Sequence, residues 1–324
     1  MHRFANILVY SRAETPSPRA MGRLADLAAR SGAAITLMTV IDPFPWYTRL
    51  LLPSWETFQQ TRIEQAADRL SSLATSMSRK DLKIETRVAE GRPTSELIRE
   101  VLRSKHDLLI KVAEPDHGTL FGSTDMQLLR NCPCPILLLH PQTQERNFKR
   151  ILVAVDPAPA PDVTDALHLR EDIPPEQPAL NARLMNIATG LAELEGGETH
   201  VLHAWSAPGE ETLRNETWVV QSEVEAYVAS VHEEARQAVH RLVEKCPPGS
   251  APRHIHLIKG QPAVVISDFA RTQDIDLIVM GTLVRTGIQG LLIGNTAETV
   301  LHQVQCSILA VKPDTFVSPM ALGD

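Results

Sequence analysis

The chain has 324 residues, 43% hydrophobic and 22% charged, with a formal net charge of −7. That length suits two domains of ordinary size, and that composition excludes a disordered polymer. A mildly acidic chain repels phosphate backbones and anionic headgroups at long range, and no run reaches the roughly 18 apolar residues of a membrane span, so neither nucleic acid nor membrane is an expected partner.

In chain order, Ile7 to Tyr10 reads as a first strand. A loop with Pro16 and Pro18 follows, then a helix carrying Met21, Leu24, Leu27 and Ala28 at helical spacing and stopped by Gly32. Ile35 to Ile41 is a second strand. An aromatic stretch (Trp46, Tyr47, Leu50, Leu51, Leu52, Trp55, Phe58) is expected to pack against the sheet or the other half of the chain. A long helix spans about Ser54 to Met77. Strand Leu82 to Ala89, helix Thr94 to Leu102, strand Leu108 to Val112, helix Thr124 to Arg130 and strand Ile136 to Leu139 complete the first half.

The second half repeats the order. Ile7-Leu8-Val9 matches Ile151-Leu152-Val153, Gly91-Arg92-Pro93 matches Gly260-Gln261-Pro262, and Cys134-Pro135-Ile136-Leu137 matches Cys306-Ser307-Ile308-Leu309. A repeat of about 150 residues is too long for a solenoid unit and reads as two fused domains. Strands are expected at Ile151 to Val155, Thr199 to Trp205, Arg253 to Ile258, Leu277 to Met280 and Ile308 to Val311. Helices are expected at Ala179 to Leu194, Glu223 to Lys245, Pro262 to Arg271 and Thr296 to Val304. The boundaries read as a first domain at 1–141, a polar linker at 142–148, a second domain at 149–313 and a tail at 314–324. The proline-rich stretch Pro157 to Pro178 reads as a surface loop.

Strands alternating with long helices imply a parallel sheet covered on both faces, so the fold class is α/β with two tandem Rossmann-like domains of five strands each. Ligands of such sheets sit beyond the carboxyl ends of the strands. The last strands, Cys134 to Leu139 and Cys306 to Val311, are too apolar to stand as bare edges, and pairing them with each other removes both.

The ligand signal is uneven. After Met280 come Gly281, Thr282 and a glycine-bearing loop that runs to Gly294-Asn295-Thr296 at a helix start. Glycines admit phosphate to the backbone, and a helix N-terminus presents free donors and a positive dipole end. Asp156, after Val155 at the end of a strand, would face the same crevice and could bond a ribose or a metal. The bland alternative is a capping box, with Asn295 as N-cap and Glu298 three residues on.

These segments, with Asp276-Leu277-Ile278-Val279-Met280-Gly281, Gly294-Asn295-Thr296-Ala297-Glu298 and Leu128 to Pro135, resemble tandem universal stress proteins over nearly the whole chain. Nucleotide-binding members of that family carry Gly-x-x-Gly-x9-Gly-Ser/Thr and an aspartate ending the first strand. The resemblance implies a cofactor site at Asp156, Val155, Ala204, Met280, Gly281, Thr282, Gly294, Asn295 and Thr296, with ATP and magnesium as the cofactor it allows. The second half departs from the pattern at Val284 and Asn295. The first half departs further. Gly122-Ser123 remains, but Asp107 to Gly122 is 15 positions against 18 from Asp276 to Gly294, Glu114 and Asp116 add negative charge, and Arg12 replaces the aspartate. This half is expected to have lost nucleotide.

Three functional readings stand: a cytoplasmic stress-response protein acting by ligand or partner binding without turnover, an ATP-binding switch with weak hydrolysis in the second half, and an apolar small-molecule carrier in the first half. The N-terminus runs straight into a strand and Cys132, Cys134, Cys246 and Cys306 form no framework, which suits the cytoplasm. Cys134 and Cys306 read as small buried hydrophobes. His200, His203, His232, His240, His254 and His256 have no metal spacing, and no catalytic residue is assigned. The two domains are expected to pair within one chain, and a homodimer is left open.

Overall fold

A computed structural model describes residues 4–12, 17–113, 121–157, 176–246, 249–282 and 293–320. The first half runs β1 (Asn6–Tyr10), α1 (Pro18–Ser31), β2 (Ala34–Ile41), α2 (Thr48–Leu51), α3 (Trp55–Met77), β3 (Ile84–Glu90), α4 (Pro93–Ser104), β4 (Leu108–Val112), α5 (Ser123–Asn131) and β5 (Ile136–Leu139). The second runs β6 (Arg150–Ala154), α6 (Gln177–Glu195), β7 (Glu198–Trp205), α7 (Glu210–Asn215), α8 (Gln221–Lys245), β8 (Arg253–Lys259), α9 (Pro262–Thr272), β9 (Leu277–Gly281), α10 (Asn295–Gln303) and β10 (Ser307–Val311).

The ten strands form one sheet, ordered β3-β2-β1-β4-β5-β10-β9-β6-β7-β8. Among the ten described strands every pairing within a half is parallel, and the antiparallel pairing of β5 with β10 joins the halves. There Ile308 faces Leu138, Leu309 faces Leu137 and Ala310 faces Ile136. Two apolar strands that would otherwise end their sheets thus satisfy each other's backbone groups.

Side chains along this pair alternate between two cores. Leu137, Leu139, Leu309 and Val311 join a core that includes residues of α1, α3, α6 and α8. Ile136, Leu138, Ile308 and Ala310 join the core of α4, α5, α9 and α10 on the opposite face. Each core contains buried residues of both halves, so the seam is an interior. Full burial of one such aliphatic side chain contributes about 1.5–3 kcal/mol.

The repeat extends to backbone conformation. Gly91 and Gly260 have φ of 146° and 150°, where a side chain is strained. A Cβ at Gly91 would lie 2.9 Å from Glu96 Cγ, and one at Gly260 would lie 2.8 Å from Val265 Cγ2. Both N–H groups close onto the end of the second strand of their half, Gly91 to Ile41 O and Gly260 to Trp205 O. Proline then opens each following helix, where its missing N–H is not needed. Asp107 and Asp276 form a second matched pair. Each carboxylate accepts two backbone N–H groups at the entry to β1 or β6, from Ala5 and Asn6 in one case and Lys149 and Arg150 in the other.

One expectation changes, and the structure adds detail to others. The aromatic stretch does not pack into a core: Trp46 is 78% and Leu51 75% exposed, with Tyr47 and Leu50 also exposed. Only its base is held, where Phe44, Trp55 and Phe58 make edge contacts and Arg62 lies over Phe44. The polar linker is tied to the first half. Phe148 is buried with the Arg23 guanidinium over its ring, and Gln144 and Glu145 bond Ser17. The short helices α2 and α7, which no periodicity announced, follow β2 and β7. The surface loop expected at 157–178 lies largely outside the described residues.

Candidate functional site

β6 and β9 are neighbours in register, with Val153 opposite Val279. Val155-Asp156 and Gly281-Thr282 therefore leave the same end of the sheet side by side. Val155 N–H donates to Leu202 O at 3.0 Å. Its carbonyl accepts from Nδ1 of His203 at 3.2 Å, and burial holds that imidazole below its usual pKa. Ala204 follows on β7, half-buried. The backbone of Asp156 is gripped by the buried Asn181 of α6. Asn181 Nδ2 donates to Asp156 O at 2.8 Å, and Asp156 N–H donates back to Asn181 Oδ1 at 3.2 Å. The main chain that aims Asp156 is thus fixed on both sides.

On β9, Met280 is buried and Gly281 half-buried. A Cβ at Gly281 would lie 3.0 Å from Leu180 Cδ2, so a larger residue would press on α6. Thr282 is buried; its N–H donates to Val311 O and its carbonyl accepts Gly294 N–H at 3.0 Å. That last bond closes the base of the 283–292 stretch, bringing the strand exit against the start of α10. Residues 283–292 themselves, Val284 included, lie outside the described residues, as do Glu114 and Asp116. A cleft of about 320 Å³ adjoins Leu180 and is lined by Arg183, Asp314 and Thr315 as well.

The start of α10 differs from the expected capping box. Gly294 is the N-cap and Asn295 the first helical residue, and neither Asn295 nor Glu298 makes a side-chain cap bond. Asn295 is exposed and Thr296 half-buried. The helix end thus offers backbone donors that no described side chain covers, an arrangement suited to an anion.

The first half arranges the same positions oppositely. Gly122 is again the N-cap of its helix, but Asp125 accepts Gly122 N–H at 3.1 Å. The carboxylate also lies 2.8 Å from the Lys111 ammonium. Lys111 and Asp125 occupy the positions of Met280 and Ala297 in the repeat. Anion-binding capacity at this terminus is already taken by an internal carboxylate. Arg12, in place of the strand-end aspartate, reaches Asp42 at 3.2 Å.

Three of the histidines that carry no metal spacing in the sequence gather around Glu198 in the structure. His200 pairs in register with His254, and its ring stacks on those of His254 and His256. Glu198 bonds His200 at 3.1 Å and His254 at 3.3 Å, and His200 Nδ1 lies 3.1 Å from His256 Nε2. The signal was available in the alternation of His254 and His256 beside a paired strand, but only strand order supplies the register. This cluster lies at the opposite strand ends from Asp156. Among the described residues no group of three or more His, Cys, Asp or Glu is placed to hold a metal.

Comparisons with known proteins follow the same outline. The sequence model of the universal stress protein family matches residues 3–140 and 174–312. The chain is 30% identical to Universal stress protein E of Escherichia coli K12 over 334 aligned positions, covering 100% of this chain and 99% of that one. It is 25% identical to the Universal stress protein E homolog of Haemophilus influenzae, covering 96% and 98%. Among solved structures, a universal stress protein of Archaeoglobus fulgidus superposes with a TM-score of 0.63 at 17% identity, covering 95% of this chain and 98% of that one. A Pseudomonas aeruginosa PAO1 protein of unknown function gives 0.65 at 24% identity, covering 96% and 93%. With two family segments, a full-length relative and a sheet that joins two copies of one α/β unit, the chain belongs to the universal stress protein family.

Proposed function

We propose that this protein acts in the stress response by binding, and that its second half takes a nucleoside polyphosphate while its first half does not. One observation carries the reading: no described carboxylate caps the start of α10, where Gly294 N–H is bonded only to the neutral Thr282 carbonyl, whereas at the start of α5 the Asp125 carboxylate accepts Gly122 N–H. In this reading the N–H groups of Asn295 and Thr296 take phosphate, and Gly294, whose own N–H is bonded to Thr282 O, holds the turn beneath it. Gly281 and Thr282 form the floor, beside Met280, and Val155 and Ala204 flank the base. Asp156 bonds the ribose or a magnesium ion.

Calorimetry of the full chain with ATP and magnesium tests the reading. Binding at one site, weakened by Asp156→Asn and untouched by Ser123→Ala, is the expected result. Absence of binding, or equal loss from Ser123→Ala, overturns it.

The exposed surface of Trp46, Tyr47, Leu50 and Leu51 favours a second reading for the first half, as a carrier of an apolar small molecule. Mass spectrometry of molecules released from purified protein distinguishes the two, since the carrier reading requires an apolar compound that Trp46→Ala loses.

A further inference from the structure

The seam between β5 and β10 has two ends related by the repeat. At one end Lys312 bonds the backbone carbonyl of Cys132, two residues from Cys134; the positions corresponding to Cys132, Cys134 and Lys312 at the other end are Val304, Cys306 and His140. Lys312 leaves β10 and crosses into the first half. Its Nζ donates to Cys132 O at 2.6 Å and Arg130 O at 3.0 Å, and lies 4.0 Å from the centre of the Phe316 ring. The residue is 3% exposed. These partners are two carbonyls and an aromatic face, and none of them carries a full negative charge. A buried ammonium in such surroundings is costly unless an anion is close.

The groups able to supply that anion are the two thiols. Cys132 and Cys134 are buried and reduced, and their sulfurs are 3.6 Å apart. The other end of the seam shows that the fold itself does not require this trio. There Val304 brings no sulfur and His140 replaces the lysine, and the His140 backbone N–H donates to Ser307 Oγ at 3.1 Å. The thiol pair and its cation are additions to one end only.

We propose that Cys132 and Cys134 form a two-coordinate site for a soft monovalent cation of the Cu(I) class, with Lys312 as its counter-charge. Thiolate sulfur selects such ions. The charges close: two thiols lose two protons to solvent, the bis-thiolate complex of a monovalent ion carries −1, and the ammonium carries +1. A divalent ion would leave an uncompensated positive charge, and it would want further donors that no described group of three supplies. Oxidation of the pair to a disulfide would remove the anion and leave Lys312 without one. Metal–thiolate bonds of about 2.3 Å allow sulfurs up to about 4.6 Å apart in a linear arrangement. The observed 3.6 Å is about 1 Å short of that linear limit, so binding requires the two sulfurs to move apart.

Anaerobic titration of the full-length chain with Cu(I) held by the coloured chelator bicinchoninate tests the proposal. The wild-type chain should withdraw one Cu(I), with ultraviolet thiolate-to-copper absorption. Cys132→Ser and Cys134→Ser should abolish the uptake, and Lys312→Met should weaken it about tenfold. Cys246→Ser/Cys306→Ser, which keeps only the pair, should behave as wild type; its failure to bind overturns the proposal even if the single variants do not fold. Uptake by Cys132→Ser equal to wild type overturns it as well. So does oxidation of the pair by peroxide, seen as loss of two hydrogens by mass, in a chain that takes no Cu(I).

Discussion

Lys111 and Asp125 form a 2.8 Å ion pair with side chains 1% and 0% exposed, where the second half has Met280 and Ala297. Two buried charges have replaced two buried apolar groups beneath one helix start. Each member of such a pair is tolerable only in the presence of the other. Lys111→Met alone leaves the carboxylate uncompensated and should cost about 3–5 kcal/mol, whereas Lys111→Met/Asp125→Ala should recover most of that loss. Urea denaturation of the single and double variants checks this; equal loss in both would mean that the pair is not a compensated unit.

Asn295 occupies the first position of α10, exposed and without a cap bond. Asn295→Asp places a negative charge at the positive end of the helix dipole. It should raise stability by about 0.3–1 kcal/mol and weaken ATP binding about tenfold, because the charge that favours the helix repels phosphate. Thermal melts and calorimetry on the same variant give the two opposed signs. A helix start with no role in binding would show the stability gain without the loss of affinity.

Val284 departs from the family glycine within the loop whose base is closed by Gly294 N–H and Thr282 O. Val284→Gly should strengthen ATP binding by about tenfold, since removing a β-branched side chain lets backbone N–H groups approach phosphate. Unchanged or weaker affinity by calorimetry would count against a phosphate-binding role for this loop.

Three histidines give the fold an acid-side limit. Burial lowers the pKa of His256, helped by the charges of His200 and His254; burial also lowers His203, against its bond to Val155 O, and His140. A lowered histidine pKa means that the folded chain binds its proton less readily than the unfolded chain does. Their contribution is therefore complete above the ordinary value of 6.5 and falls as pH drops below it. Glu198 acts lower in the scale: burial raises its pKa, but the bonds from His200 and His254 outweigh that and hold it below 4.5. The urea midpoint should fall between pH 7.5 and 5.5, and His256→Gln should flatten that slope. A midpoint independent of pH would remove these histidines from the account.

Pairing of Leu137 and Leu138 with Leu309 and Ile308 means that residues 1–141 expressed alone present β5 as a bare apolar edge. That fragment should dimerise or aggregate, whereas the whole chain should not do so through this edge. A monomeric, soluble fragment in light scattering would show that the seam is dispensable.

The sequence by itself determined the strands, the long helices, the repeat and the edge pairing, because each rests on local periodicity or on an apolar run that cannot remain exposed. It also located the strand ends near Asp156 and Gly281, since the carboxyl ends of parallel strands all lie at one edge of the sheet. Tertiary structure alone decided the rest. The capping role assigned to Asn295 passed to Gly294, because which residue first turns helical depends on how the strand exit at Thr282 anchors the helix. The exposure of Trp46 and Leu51 could not be read from composition, because burial depends on whether a neighbouring element arrives to cover them. Lys111 with Asp125, Glu198 with its histidines and Lys312 with Cys132 join residues 14, 2 to 56 and 180 positions apart. Pairing of a buried polar or charged group with its partner is a property of distance in space, and along the chain those residues give no sign of each other.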